Sequence, residues 1–202
     1  MIDLDAVRER ARPHFEAAGP AHDWRHVERV ERLAERLVGP GADRAVVLAA
    51  VYLHDVGRER EARGEIDDHA AWGAARAREV LSATGACGGE TDAVAHCVRA
   101  HRYSTGPDPD SREARLLGDA DNLDAMGAVG IGRCFAHGGS EGFPMHGAVD
   151  DPEAGQLAHL RSKLLSLRER MYTDAGRALA ERRHAVLEEF AATFEAELAG
   201  ER

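Results

Sequence analysis

The feature that most constrains this chain is the run Ala45–Leu53, AVVLAAVYL, followed at once by His54 and Asp55. A segment that is apolar on every side fits a helix buried all round. It therefore demands a core of other elements packed about it. Ending such a helix in an imidazole and a carboxylate costs several kcal/mol unless the two are paired or bind a metal. The alternative to a metal at this point is a structural His–Asp hydrogen bond.

The rest of the sequence supplies the surroundings. At 202 residues, with 44% hydrophobic and 31% charged side chains, the chain can bury a real core and is neither disordered nor fibrous. Strand signals are scarce, and no Asn-Gly or Asp-Gly hairpin occurs. The reading is all-α, with helices expected over 3–18, 23–38, 42–56, 68–84, 90–101, 112–126, 153–172 and 174–199. Breaks fall at Gly19-Pro20, Gly39-Pro40-Gly41, Gly85 to Gly89, Gly106 to Pro109 and Gly138 to Pro144. One domain is expected over 1–202, with a core at about 20–135 and a C-terminal helical hairpin at about 153–199. Leu157, Leu160, Leu164 and Leu167 mark the hairpin's apolar stripe. The stretch 136–152 reads as one long loop, a lid or an oligomer contact, and a homodimer is an expected assembly.

Charge and cysteines narrow the partners. Twenty-six Lys and Arg against 36 Asp and Glu leave a net charge of −10, which disfavours nucleic-acid polymers and anionic membranes. Cys87, Cys97 and Cys134 form no CxxC and read as free thiols in a reducing compartment. The first residues lack the apolar core of a signal peptide, and no apolar run is long enough to span a bilayer. A cytoplasmic protein is expected.

Two further segments place polar groups where a core is expected. Asp23 can cap a helix in which His26, Val30, Leu33 and Leu37 share one stripe, so His26 points inward. In EARLLGDADNLDAMG, Leu117, Asp121 and Asp124 share a face while Asp119 points elsewhere, and spacing does not separate Asp121 from Asp124. Side chains from different helices of a bundle can converge on one metal. Two imidazoles and two carboxylates suit Mn2+, Fe2+, Ni2+ or Mg2+ and would accept Zn2+.

His26 in HDWRHVERV, His54-Asp55 in LHDVGR and Asp121 in DADNLDAMGAVGIGR together resemble the HD-domain metal-dependent phosphohydrolase superfamily. The match is nearer to small bacterial HD hydrolases resembling nucleotide pyrophosphohydrolases. It extends to a HAxxGA-like segment at 69–74, AHRYS at 100–104 and a segment over 163–184. The resemblance implies an HD-type helical bundle. It implies a metal held by His26, His54, Asp55 and Asp121, with Asp124 behind them and Mn2+ the favoured ion. It further implies hydrolysis of a nucleoside triphosphate to the monophosphate and pyrophosphate. Alternatives are a phosphomonoesterase or phosphodiesterase acting on a small nucleotide, and a non-catalytic nucleotide-binding regulatory module. In the two-metal branch of that superfamily, histidines at places comparable to His69 and His101 bind a second ion.

Phosphoryl transfer needs positioning and charge neutralisation more than a protein nucleophile. Asp55 and Arg58 are the expected catalytic residues. Arg58 follows the His54-Asp55 pair by one turn. Arg25, Arg58, His69, His101, Arg102 and Lys163 are the expected contacts to a small phosphorylated substrate. The glycine-rich GAVGIGRC does not follow a strand and is not a dinucleotide fingerprint.

Overall fold

A computed structural model of the chain describes residues 1–102, 106–148, 151 and 154–201. Among these the fold is all-α, with an isolated bridge between Ala148 and Asp151 and no strand. None of the described helices is long and apolar enough to cross a membrane. The residues group into two compact units, one of 1–18 and 22–120, the other of 19–21 and 121 onward.

The first unit contains α1 (Leu4–Ala11), α2 (Trp24–Leu37), α3 (Arg44–Leu53), α4 (Arg58–Ala62), α5 (His69–Ala83), α6 (Gly88–Ala100) and most of α7 (Arg112–Asp124). At its centre is α3, whose residues Val46 to Leu53 are all buried. It packs against α1, α2, α5 and α6, which is the environment its all-round apolar sequence requires. Helices α2, α3 and α5, which carry or lead into His26, His54 and His69, are each started by an aspartate. Asp23 accepts from the His26 amide, Asp43 from Ala45 and Val46, and Asp68 from Ala70 and Ala71. Such caps satisfy amides that a helix start leaves unpaired. The first expected helix is shorter than 3–18. After Ala11 the chain tightens into a 3-10 turn over Arg12–Phe15, where Pro13 can give no amide to a helical ladder.

The turn after α3 depends on Gly57. A Cβ there would lie 2.9 Å from the His69 carbonyl oxygen and 3.1 Å from both the His69 Cα and the Trp72 Cε3. Hydrogen at this position lets the start of α5 press against the His54-Asp55 turn. Helix α4 carries no pattern that would announce it: it has five residues, none buried, and hence no apolar period.

The second unit contains α8 (Gly127–Glu141), α9 (Gly155–His159) and α10 (Asp174–Leu198). The expected helix over 153–172 is a chain of short pieces: α9, a π turn over Leu160–Leu164 and a 3-10 stretch over Leu165–Arg170. Its leucine stripe is nonetheless buried, at Leu157, Leu160, Leu164 and Leu167. The Leu164 to Leu167 step spans three residues, the spacing that a 3-10 stretch keeps on one face.

The long loop expected at 136–152 begins later. Helix α8 runs on to Glu141 and stops at Gly142, whose φ of 75° closes it by bonding back to Gly138 and Gly139. Gly138 reads as a breaker in sequence but serves packing, since any Cβ there would collide with the Gln156 side chain. Of the remaining loop, 149, 150 and 152 lie outside the described residues, as do Tyr103 and Ser104 of the AHRYS segment.

Helix α7 is buried on more than one side. Asp119, two residues and so about 200° from Leu117, is fully buried, as are Leu117, Ala120 and Leu123, and Asp124 is almost so, while Asp121 is half-buried. The helix is covered around most of its circumference, so one apolar stripe could not tell its carboxylates apart.

Candidate metal centre

Within the first unit, α2, α3, the turn after it, α5 and the end of α6 bring five histidines around one carboxylate. His54 and Asp55 end the buried α3, His26 projects from α2, His69 opens α5 and His101 follows α6. His26, His54 and His69 are fully buried, and Asp55 is nearly so.

The two oxygens of Asp55 face different partners. Oδ2 accepts from His22 Nδ1 at 3.1 Å and lies 3.7 Å from the Nε2 atoms of both His26 and His54. Oδ1 lies 3.5 Å from the Nε2 atoms of both His69 and His101. Two ligand groups that could each hold an ion therefore share this carboxylate: His22, His26 and Asp55 on one side, and Asp55, His69 and His101 on the other.

The far sides of the rings are tied off. His54 donates Nδ1–H to the Val51 carbonyl at 2.8 Å, and His101 donates its own to the Val98 carbonyl at 2.6 Å. His69 donates Nδ1–H to Glu61 Oε2 at 2.8 Å. Each neutral ring then presents a lone pair at Nε2. The Nε2 atoms of His69 and His101 are 3.3 Å apart, and those of His26 and His54 are 3.2 Å apart. Two lone pairs at that distance repel unless a proton or a cation stands between them. Nδ1 donation with Nε2 directed inward is also how metal-ligating histidines are commonly oriented. The donor set thus fits a divalent ion.

Arg58 borders the cluster. Its Nη2 donates to His22 Nε2 at 3.1 Å, and its Nη1 approaches His69 Nε2 at 3.4 Å. Burial would raise the Asp55 carboxyl, but the Arg58 guanidinium and the surrounding imidazoles of His54, His101 and His22 hold it well below the usual carboxylate range. His69 is held below its ordinary value, mainly by burial and further by Arg58 and His101, against the pull of Asp55 and Glu61. A neutral ring and an ionised carboxylate are the forms that a metal requires.

The other expected site residues are placed as follows. Arg102 is bound to Glu61, within 3.8 Å of Asp68 and 3.4 Å of His69 Nδ1. Arg25 is exposed on α2, one residue from His26 and so turned about 100° from it. Asp121 lies four residues after Leu117 on α7. In the second unit, Lys163 is exposed in the π turn, and Asp124 accepts from Arg133 at 2.7 Å. The two buried cysteines offer no nucleophile: burial pushes Cys97 up to about 12 and Cys134 up to about 11.

The HD domain pattern matches residues 23–126, just over half of the chain. The chain belongs to the HD domain family. This HD protein is 34% identical over 184 residues to YpgQ of Bacillus subtilis, across 89% of this chain and 85% of YpgQ. The structure of YpgQ in complex with ADP is similar, with a TM-score of 0.76 at 28% identity, covering 98% of this chain and 99% of that one. A Lactobacillus plantarum protein reaches a TM-score of 0.80 at 30% identity, over 98% and 97% of the two chains. An HD-superfamily hydrolase from Bacillus thuringiensis reaches 0.77 at 30% identity, over 97% and 96%.

Sequence reasoning missed two members of the cluster. His22 precedes the cap of α2, so helical periodicity cannot aim it. Glu61 lies in the run RERE, which reads as a solvated charged face. A signal for Glu61 existed in hindsight of chemistry alone, because a histidine at a helix start needs an acceptor from elsewhere.

Proposed function

We propose that this HD protein is a metal-dependent phosphohydrolase acting on a small nucleotide, and that it cleaves a nucleoside triphosphate to the monophosphate and pyrophosphate. The observation that carries the metal reading is the cluster of inward-facing Nε2 lone pairs about Asp55. His26, His54 and Asp55 would hold the ion, with Asp121 as the fourth ligand on the strength of the H…HD…D pattern. When bound, a divalent ion, Mn2+ by preference, would acidify water and polarise a phosphoryl oxygen.

The chain's own groups do the rest. Asp55, kept ionised among histidines, supplies the negative charge that retains a cation. Arg58 presents a guanidinium beside it, suited to a phosphate oxygen through paired N–H donors. His22 fixes that guanidinium from one side by accepting from it. A nucleotide substrate is supported by the ADP held by YpgQ, a relative over nearly the whole chain. The net charge of −10 favours compact nucleotides over long polyanions.

A second reading concerns the number of ions. His69, His101 and the Oδ1 face of Asp55 form a ligand group of their own, which favours a second cation there over direct substrate contact by the two histidines.

The test is a scan of nucleotides with the purified protein and Mn2+ in ¹⁸O-labelled water. Label in the nucleoside monophosphate, with pyrophosphate released, is the expected result. Label in orthophosphate as the first product would replace this reading with a phosphomonoesterase. Nucleotide binding with no turnover under any divalent ion would replace it with a regulatory module.

A further inference from the structure

His54 and His101 take their Nδ1 acceptors from their own helices, three residues back, at Val51 and Val98. His69 cannot. It is the first residue of α5, so no helical turn precedes it to offer a carbonyl. Its acceptor comes from another element: Glu61 of α4 takes Nδ1–H at 2.8 Å on Oε2 and the His69 backbone amide at 3.3 Å on Oε1. The same Oε1 accepts from Arg102, which also lies near Asp68, the cap of α5.

We propose that Glu61 is the positioning residue of His69: it grips the side chain and backbone together, keeps the proton on Nδ1, and so leaves the Nε2 lone pair facing Asp55. The effect on ion binding rests on the metal reading given above, whereas the effect on the His69 tautomer does not. Helix α4 has no buried residue. Glu61 therefore adds nothing to the apolar core, and its partners are the reason for its place. A carboxylate acceptor also differs from the carbonyls at His54 and His101. It raises the basicity of the ring it orients, and outer partners of this kind commonly affect metal affinity by 10- to 100-fold, on the order of magnitude.

Removing Glu61 has a specific consequence. Arg102 Nη1 already lies 3.4 Å from His69 Nδ1. Without the carboxylate, the Arg102 guanidinium faces an N–H that has lost its acceptor; moving the proton to Nε2 lets Nδ1 accept from Arg102 and gives the proton the Asp55 carboxylate as acceptor, although Arg58 Nη1 also stands 3.4 Å from Nε2. The proton would then sit on the atom that faces Asp55 Oδ1, 3.5 Å away. The lone pair offered to a cation would be gone.

The experiment compares the full-length wild type with Glu61→Ala and Glu61→Gln. The His69 tautomer is read in the metal-free protein from long-range ¹H–¹⁵N correlations, and Mn2+ binding is read by calorimetry. The wild type should show Nδ1–H, Glu61→Ala should show Nε2–H, and Glu61→Gln, which keeps an acceptor oxygen, should retain Nδ1–H. Mn2+ affinity should fall about 10- to 100-fold in Glu61→Ala, with a smaller loss in Glu61→Gln. A wild-type tautomer in Glu61→Ala overturns the proposal. Should that variant not fold, Glu61→Gln carries the test, and an affinity equal to wild type overturns the role of the carboxylate charge. A wild type that binds no Mn2+ refutes the metal reading, while the tautomer comparison still decides the role of Glu61.

Discussion

His22 Nδ1 donates to Asp55 Oδ2 at 3.1 Å while His22 Nε2 accepts from Arg58 at 3.1 Å, so one ring bridges the two residues expected to carry the chemistry. That bridge fixes the ring's tautomer and sets Arg58 against the carboxylate. His22→Ala should release both. The expected outcome is a loss of about 10- to 100-fold in metal affinity or in kcat/KM. His22 is only partly buried, so thermal unfolding should move little. Unchanged kinetics and metal binding in a stable His22→Ala would show that the bridge is incidental.

The two faces of Asp55 make the ion count a decisive measurement. Asp55→Asn removes the ligand shared by both groups and should strip the protein of bound metal and activity together. His101→Ala removes a ligand from one group only and should lower the ions retained per chain by one, if two are held. Elemental analysis of the wild type and both variants after dialysis reads this directly. One ion in the wild type and one in His101→Ala would return His69 and His101 to substrate contact. Chelation should also lower Tm in the wild type, since an ion held at about 100 times its Kd stabilises the fold by about 2.7 kcal/mol. Asp55→Asn should show no such chelator-dependent change.

The all-α class and the inward residues on α2 and α3 were legible because burial leaves a period. The run Ala45–Leu53 could only be a buried helix, and His26 shared its stripe with Val30 and Leu33. Positions outside regular helices left no such record. His22 precedes the Asp23 cap, and Glu61 belongs to a helix with no buried face. Helix α8 was hidden by its glycines. The sequence shows Gly138 only as a weak helix former, whereas in the fold it is the gap that admits Gln156. On α7, covered almost all round, periodicity could not rank Asp119, Asp121 and Asp124, because the side that Asp119 faces is buried too.

Gly57 makes a prediction about shape alone. Its φ of −95° and ψ of −8° suit any residue, so alanine there carries no backbone strain. The methyl group is what fails, at 2.9 Å from the His69 carbonyl oxygen. Gly57→Ala must push α5 away from the His54-Asp55 turn or distort the turn itself. Overpacking of this kind costs about 1–3 kcal/mol. The expected outcome is a lower Tm together with weaker metal binding, because His69 moves with the start of α5. A variant as stable as wild type would mean that the contact between turn and helix is slack.

The last prediction concerns pH and a histidine outside the cluster. His14 lies in the 3-10 turn after α1, its ring 5.9 Å from that of Trp72 at an interplanar angle of 71°. Burial, then the charges of Arg76 and Arg60, lower its pKa from the ordinary 6.5. The unfolded chain therefore binds a proton at this residue more readily than the folded one. Below pH 6.5 that difference favours unfolding, and the stability contributed by a neutral His14 is present above this pH and lost as pH falls toward the lower folded value. His69 and His159 are lowered in the same direction, so the metal-free protein should lose Tm steadily from about pH 7.5 to about pH 5.5. His14→Gln keeps a polar side chain of similar reach but cannot take up the proton. Its Tm should fall less over the same interval, while the two proteins differ little at the upper end. The readout is the difference between the two pH profiles, recorded in chelator so that metal release adds nothing. Parallel profiles would show that neither burial nor the Arg76 and Arg60 charges hold the ring's pKa down.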